Sequence, residues 1–274
     1  MTPASRSACL AIVPGAGSAF DSAARFLRNQ PAESLLAAEA LVRSVIEVPA
    51  TVSDPGVALV KLKWWRDAVA DAVVKGAHQH PVIQAALDTG ALAHWREEAW
   101  NDGVLAIGLQ CDGGPFNHTD ALLDWHCNAR GGLEMALLRK STEARDAGLA
   151  MAVLEPLESW LVNGGEPTWL PLDVLARKGG MSAQAHADDE SVRAALVGEL
   201  AGAVLSRVRK PSEVQDCPNA LETGLSVRDH VVFLRLARLA KAPASVQRRG
   251  IVPTLGEVFS TWRHARRATA RMAS

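Results

Sequence analysis

The 274-residue chain has no tyrosine, four scattered cysteines and almost no net charge. Each of these excludes something. Cys9, Cys111, Cys127 and Cys217 make neither a C-x-x-C pair nor a Cys/His finger spacing. A chain this long has no need of disulfides, so isolated reduced thiols are expected. No stretch approaches the roughly 20 apolar residues a membrane-crossing helix requires. The apolar run Ala8 to Val13 is too short for a signal-peptide core, and Pro14, Gly15 and Gly17 interrupt it. A formal charge of −1 and a pI near 6.7 give no reason to expect nucleic acid. The expectation is a soluble cytoplasmic protein, with peripheral contact at a membrane left open.

What is present points to helices. Apolar residues make up 48% of the chain, eight of the aromatics are tryptophan, and β-branched runs are short. Residues 1–18 read as a flexible leader. Residues 19–274 read as one all-α domain, with helical patterning over 21–48 (divided at Gln30-Pro31), 54–74, 81–87, 92–110, 120–139, 149–161, 188–208, 226–241 and 254 onward. Asp54 or Ser53 caps the third of these, with Pro55 in its first turn, and Lys75-Gly76 stops it. Pro167 to Gly180 reads as an extended approach, a short helix and a glycine stop. Pro211 to Gly224 reads as a turn-rich connection.

Two features stand out from ordinary amphipathic patterning. Trp64 and Trp65 are adjacent, and neighbours in a helix point about 100° apart, so one can face a core while the other must meet a second helix or line a cavity. Gly131-Gly132 lies mid-helix at a cost of about 1 kcal/mol per glycine, which marks a close helix approach or room left for a ligand. Other candidates read more simply. His78 and His80 could share a metal but have no third ligand nearby in sequence. Asp188-Asp189-Glu190 suits the first turn of a helix. Arg263, His264, Arg266, Arg267 and Arg271 read as a solvated basic helix end that could touch anionic lipid or a partner.

Three blocks resemble the squalene/phytoene synthase-like family. They are Lys61-Leu62-Lys63-Trp64-Trp65-Arg66-Asp67-Ala68 with His80-Pro81-Val82, the helix carrying His126-Cys127 and Gly131-Gly132, and Trp169-Leu170-Pro171-Leu172-Asp173-Val174-Leu175-Ala176-Arg177-Lys178-Gly179. The resemblance implies a helical isoprenoid-synthase-like bundle around a central cavity. It also implies two facing Asp-x-x-x-Asp motifs whose carboxylates hold Mg²⁺ against a departing diphosphate. Here those motifs are degenerate. The first expected helix keeps Glu47, with Pro49 intruding, and the second keeps Glu155 and Glu158, with Val162 where a second aspartate belongs. Such erosion resembles a divergent branch that includes complex I assembly factor-like members.

Two functions follow. The first is a non-catalytic family member that binds an isoprenoid-like lipid or a protein partner and needs no cofactor. The second is a Mg²⁺-dependent head-to-head prenyltransferase on farnesyl or geranylgeranyl diphosphate, with Glu47, Glu155 and Glu158 as unconventional ligands. In either case the resemblance places Arg43, Lys61, Trp65, Arg66, His126, Gly131 and Gly132 beside the cavity. An active site should converge at least four carboxylates with basic residues nearby; a binding scaffold should show an apolar tunnel.

Overall fold

The computed structural model describes residues 1–111, 113, 115–138, 141–165, 168–177, 189–208, 219–249 and 252–272. In chain order the helices are α1 (Pro3–Leu10), α2 (Ala19–Ala24), α3 (Asn29–Ile46), α4 (Val48–Thr51), α5 (Pro55–Lys75), α6 (Pro81–Asp88) and α7 (Glu97–Gly108). They continue as α8 (Thr119–Leu137), α9 (Ser141–Asn163), α10 (Leu172–Arg177), α11 (Glu190–Arg207), α12 (Ala220–Lys241), α13 (Pro243–Arg249) and α14 (Leu255–Met272). No strand occurs among the described residues. The all-α expectation holds.

α12 is the hub, touching α2, α3, α9, α11 and α14, while α8 is sandwiched between α7 and α9. The glycine pair explains that sandwich. A Cβ on Gly132 would lie 3.0 Å from the Gly103 Cα on α7, and one on Gly148 of α9 would lie 2.6 Å from the Gly131 Cα. One glycine therefore admits each neighbour, so the pair serves helix approach and leaves no space for a ligand. Gly76, at φ +69°, ends α5 as its spacing predicts.

Local chemistry sets several boundaries. Asp54 caps α5 by accepting the Val57 N–H at 2.8 Å. Thr119 opens α8 without capping it; its N–H donates to Asp173 Oδ1 at 3.1 Å, tying α8 to α10. The stretch expected to be helical from Leu92 is a turn up to Trp95, because Gly90 at φ +72° reverses the chain after α6. The leader needs correction. Thr2 caps α1 through the Ser5 N–H at 3.1 Å, Pro3 fills its first turn, and Cys9 is fully buried where α1 packs on α3 and α6. Eight residues with only Ser5 and Cys9 turned inward are too few to display a helical period, so the signal lay in the cap alone. The glycine stop at 179–180, Asp188, Cys217 and most of the 211–224 connection lie outside the described residues. Cys9 and Cys127 are free thiols.

Candidate functional site

Four helices deliver charge to the middle of the bundle. Glu39 and Arg43 on α3 and Glu47, the residue that caps its C-terminus, are spaced by four and share one face. Arg130 and Glu134 do the same on α8, Arg228 and Arg235 lie two turns apart on α12, and Glu155 and Glu158 sit three apart on α9. Glu39, Arg130, Glu134 and Arg228 are each at most 2% exposed.

These four close a ring. Arg130 Nη2 donates to both Glu39 oxygens at 2.8 and 2.7 Å, and its Nε donates to Glu134 at 2.8 Å. Arg228 donates to Glu134 at 2.6 and 3.1 Å and reaches Glu39 at 3.2 Å. Arg43 extends the ring outward, from Glu39 at 3.1 Å to Glu47 at 2.8 Å and on to Glu155. Arg228 also holds Asp229 at 2.8 Å. Alternating sign is what lets so much charge stay buried, since a lone charge in this setting would be expelled or neutralised.

The protonation equilibria follow the surroundings. Burial alone would raise Glu39, but Arg130, Arg228 and Arg43 outweigh it and hold its pKa down at about 2. Glu155 is raised, chiefly by burial, against the pull of Arg43. Glu158 lies beyond the ring, where Arg235 donates to its Oε2 at 3.0 Å; burial pushes its pKa up to about 7. Arg235 is itself held by the Gly17 carbonyl at 2.7 Å and the Ser22 hydroxyl at 2.9 Å.

The residues expected at the site separate into two groups. Arg43, Glu47, Glu155 and Glu158 converge on the ring and its margin, although Glu47 remains 43% exposed. Lys61 and Arg66 do not join them. Lys61 is exposed on α5, and Arg66 pairs with Asp67 at 2.9 Å on that outer surface. Trp65 is buried, while Trp64 lies edge-on to it at 5.0 Å and edge-on to His80 at 5.6 Å. The second tryptophan thus meets a loop, not a helix or cavity. His78 Nδ1 accepts the His80 N–H at 2.9 Å, so that pair shapes the same loop. His126 buries its Nδ1 without a partner, and desolvation lowers its pKa to about 3. Sequence reasoning missed Glu39, Arg130, Glu134, Arg228, Asp229 and Arg235.

The ring is a poor fit for Mg²⁺. Every oxygen of Glu39 and Glu134 already accepts from a guanidinium, while the buried Glu155 Oε1 and Glu158 Oε1 have no partner. Mg²⁺ needs near-octahedral oxygen coordination, commonly from carboxylates and waters. Two single oxygens on one helix do not fit the multi-ion cluster that a diphosphate clamp needs. Away from the ring, a cavity of about 370 Å³ opens between α2, α12 and the start of α14. Phe26, Val231, Leu234, Val252, Pro253 and Val258 form its apolar wall, and Asp21, Arg25, Arg235 and Glu257 form its polar one.

Comparison with known proteins places this architecture. The squalene/phytoene synthase family model matches residues 13–249, and the chain belongs to that family. Among solved structures it is similar to a ligand-bound dehydrosqualene synthase, at 13% identity over 97% of each chain with a TM-score of 0.61. It is also similar to the squalene synthase HpnC from Alicyclobacillus acidocaldarius, at 13% identity over 92% of this chain and 96% of that one, with a TM-score of 0.53. At these identities the likeness speaks for the fold alone. The comparison with curated proteins finds no match.

Proposed function

We propose that this squalene/phytoene synthase family member has exchanged the metal-diphosphate clamp for an ion-pair core and acts as an isoprenoid- or lipid-binding protein or as an assembly scaffold. One observation carries the reading: the two most buried carboxylates at the bundle centre, Glu39 and Glu134, are saturated by arginine. A guanidinium fixed on a carboxylate neutralises it permanently, so that carboxylate no longer offers the open coordination a reaction cycle requires. The cavity beside Arg235 supports the ligand class. Its apolar wall suits a branched hydrocarbon chain, and Arg25 and Arg235 suit a polar head.

Mg²⁺-dependent pyrophosphate release from farnesyl and geranylgeranyl diphosphates tests the first half, with a relative carrying both aspartate motifs as control. No release is expected while the control turns over. Release that disappears in Glu158→Ala overturns the reading and restores the prenyltransferase alternative, which the partnerless oxygens of Glu155 and Glu158 would then serve. The second half is tested by calorimetric titration with farnesol. Binding is expected in the native chain and is expected to fall at least tenfold in Leu234→Trp, which fills the cavity.

A further inference from the structure

α14 has two unlike faces. Thr261, His264, Ala265 and Ala268 are buried against the bundle. The opposite face exposes Leu255 (88%), Phe259 (54%) and Trp262 (43%), and the four–three–four spacing continues to an exposed Arg266. Those four lie on one line along the helix. Arg263 and Arg267 lie along one side of the line, both exposed. The Arg263 guanidinium lies 4.8 Å over the Phe259 ring, and that of Arg266 lies 5.2 Å over Trp262. The helix has one carboxylate, Glu257, and Arg238 takes it at 3.1 Å.

From this arrangement we infer that α14 is a docking face for an anionic lipid bilayer, lying parallel to its surface. Exposed aromatics in line with arginines, on a helix whose remaining residues are mostly small or polar, match the interfacial mode. The rings enter the headgroup–acyl boundary while the guanidiniums reach lipid phosphates. Charge complementarity selects the occupant, because the exposed face carries three arginines and no carboxylate. Nucleic acid would take the arginines but would leave the aliphatic Leu255 in water. An acidic protein would account for the arginines but would need a matching apolar recess for Leu255 and Phe259, which a bilayer's acyl boundary supplies without one. The inference is independent of whether the cavity binds isoprenoid. It adds one geometric consequence: Val258 and Thr261 of the same helix line that cavity, so docking brings its edge to the bilayer.

Vesicle co-sedimentation of the full chain tests the assignment, using phosphatidylcholine alone and an equimolar mixture with phosphatidylglycerol. The native chain is expected to sediment with the mixture at low salt, to be released by salt, and to ignore phosphatidylcholine. Arg263→Gln/Arg266→Gln/Arg267→Gln should weaken binding by about a hundredfold, given the typical contribution of each basic residue at an anionic surface. Phe259→Ser/Trp262→Ser should weaken it with the salt dependence retained. Circular dichroism confirms that these surface variants fold. Should a variant fail to fold, the salt and lipid-charge dependence of the native chain still decides. No sedimentation with the anionic mixture, or equal binding to both vesicle types, overturns the proposal. So does capture by polyglutamate without capture by vesicles.

Discussion

Arg130 and Glu39 lie 91 positions apart in the chain, yet one guanidinium nitrogen of the first bridges both carboxylate oxygens of the second. Both side chains are cut off from water. Neither residue belongs to an expected catalytic motif. Removing one partner leaves the other as an uncompensated buried charge, which is why Arg130→Met is expected to cost about 3–5 kcal/mol. Urea unfolding followed by tryptophan fluorescence measures it. Replacing Lys75, whose exposed pairing with Asp71 spans 2.7 Å, should leave the midpoint unchanged. Equal effects at the two sites would refute the ranking.

Glu39 is expected to contribute most to the acid limb of stability. Its pKa is about 2 in the fold against an ordinary 4.5. Its contribution is therefore complete above 4.5 and is lost as pH falls from there toward 2, a change on the order of 3 kcal/mol. Glu39→Gln should start less stable at neutral pH and show a shallower decline below 4.5. A parallel decline would assign the acid limb to other groups.

Glu158 works in the opposite sense and in a different window. Its pKa, raised by burial to about 7 from an ordinary 4.5, means that the fold prefers the protonated form. That preference is complete below 4.5, shrinks as pH rises toward 7, and is gone above it. Glu158→Gln keeps an acceptor for Arg235 without the charge. It should gain on the native chain by about 2–3 kcal/mol between pH 4.5 and 8. A constant offset across that range would show that Arg235 keeps Glu158 ionised.

The glycines predict a contrast. Gly148→Ala would bring a methyl within 2.6 Å of backbone on α8, and the rigid neighbour has no side chain to move aside. A loss of about 1–3 kcal/mol is expected. Gly202, inside α11, has nothing within 4 Å of an added Cβ, so Gly202→Ala should gain about 0.5–1 kcal/mol through helix propensity. Thermal melts of the two variants should shift in opposite directions.

Helix spacing and turn chemistry made the fold legible. Asp54, Gly76 and Pro81 act where their residue types imply. The site was less so, for a physical reason. Glu39, Arg130 and Arg228 fall on the inward stripe of helices whose apolar residues dominate the pattern, and a charge there reads as noise until its partner is found on another helix. A check for charged residues at inward positions would have flagged Glu39-x-x-x-Arg43-x-x-x-Glu47 and Arg130-Gly-Gly-Leu-Glu134. Lys61 and Arg66 failed for the converse reason. Their block does build structure, but through Trp65 and the His80 loop, with the basic residues turned outward.

Closure of the ring through α12 also bears on how the chain is made. Glu39, Arg43, Arg130 and Glu134 emerge from the ribosome long before Arg228, and until then Glu134 has only Arg130, which it shares with Glu39. The early helices are therefore expected to pack incompletely around Glu134 until α12 supplies Arg228. A nascent chain arrested before residue 228 is expected to remain open to protease, and one arrested after α14 has emerged is expected to resist it. The charge arrangement that closes the core of the finished protein would then also set the point in synthesis at which that core can close.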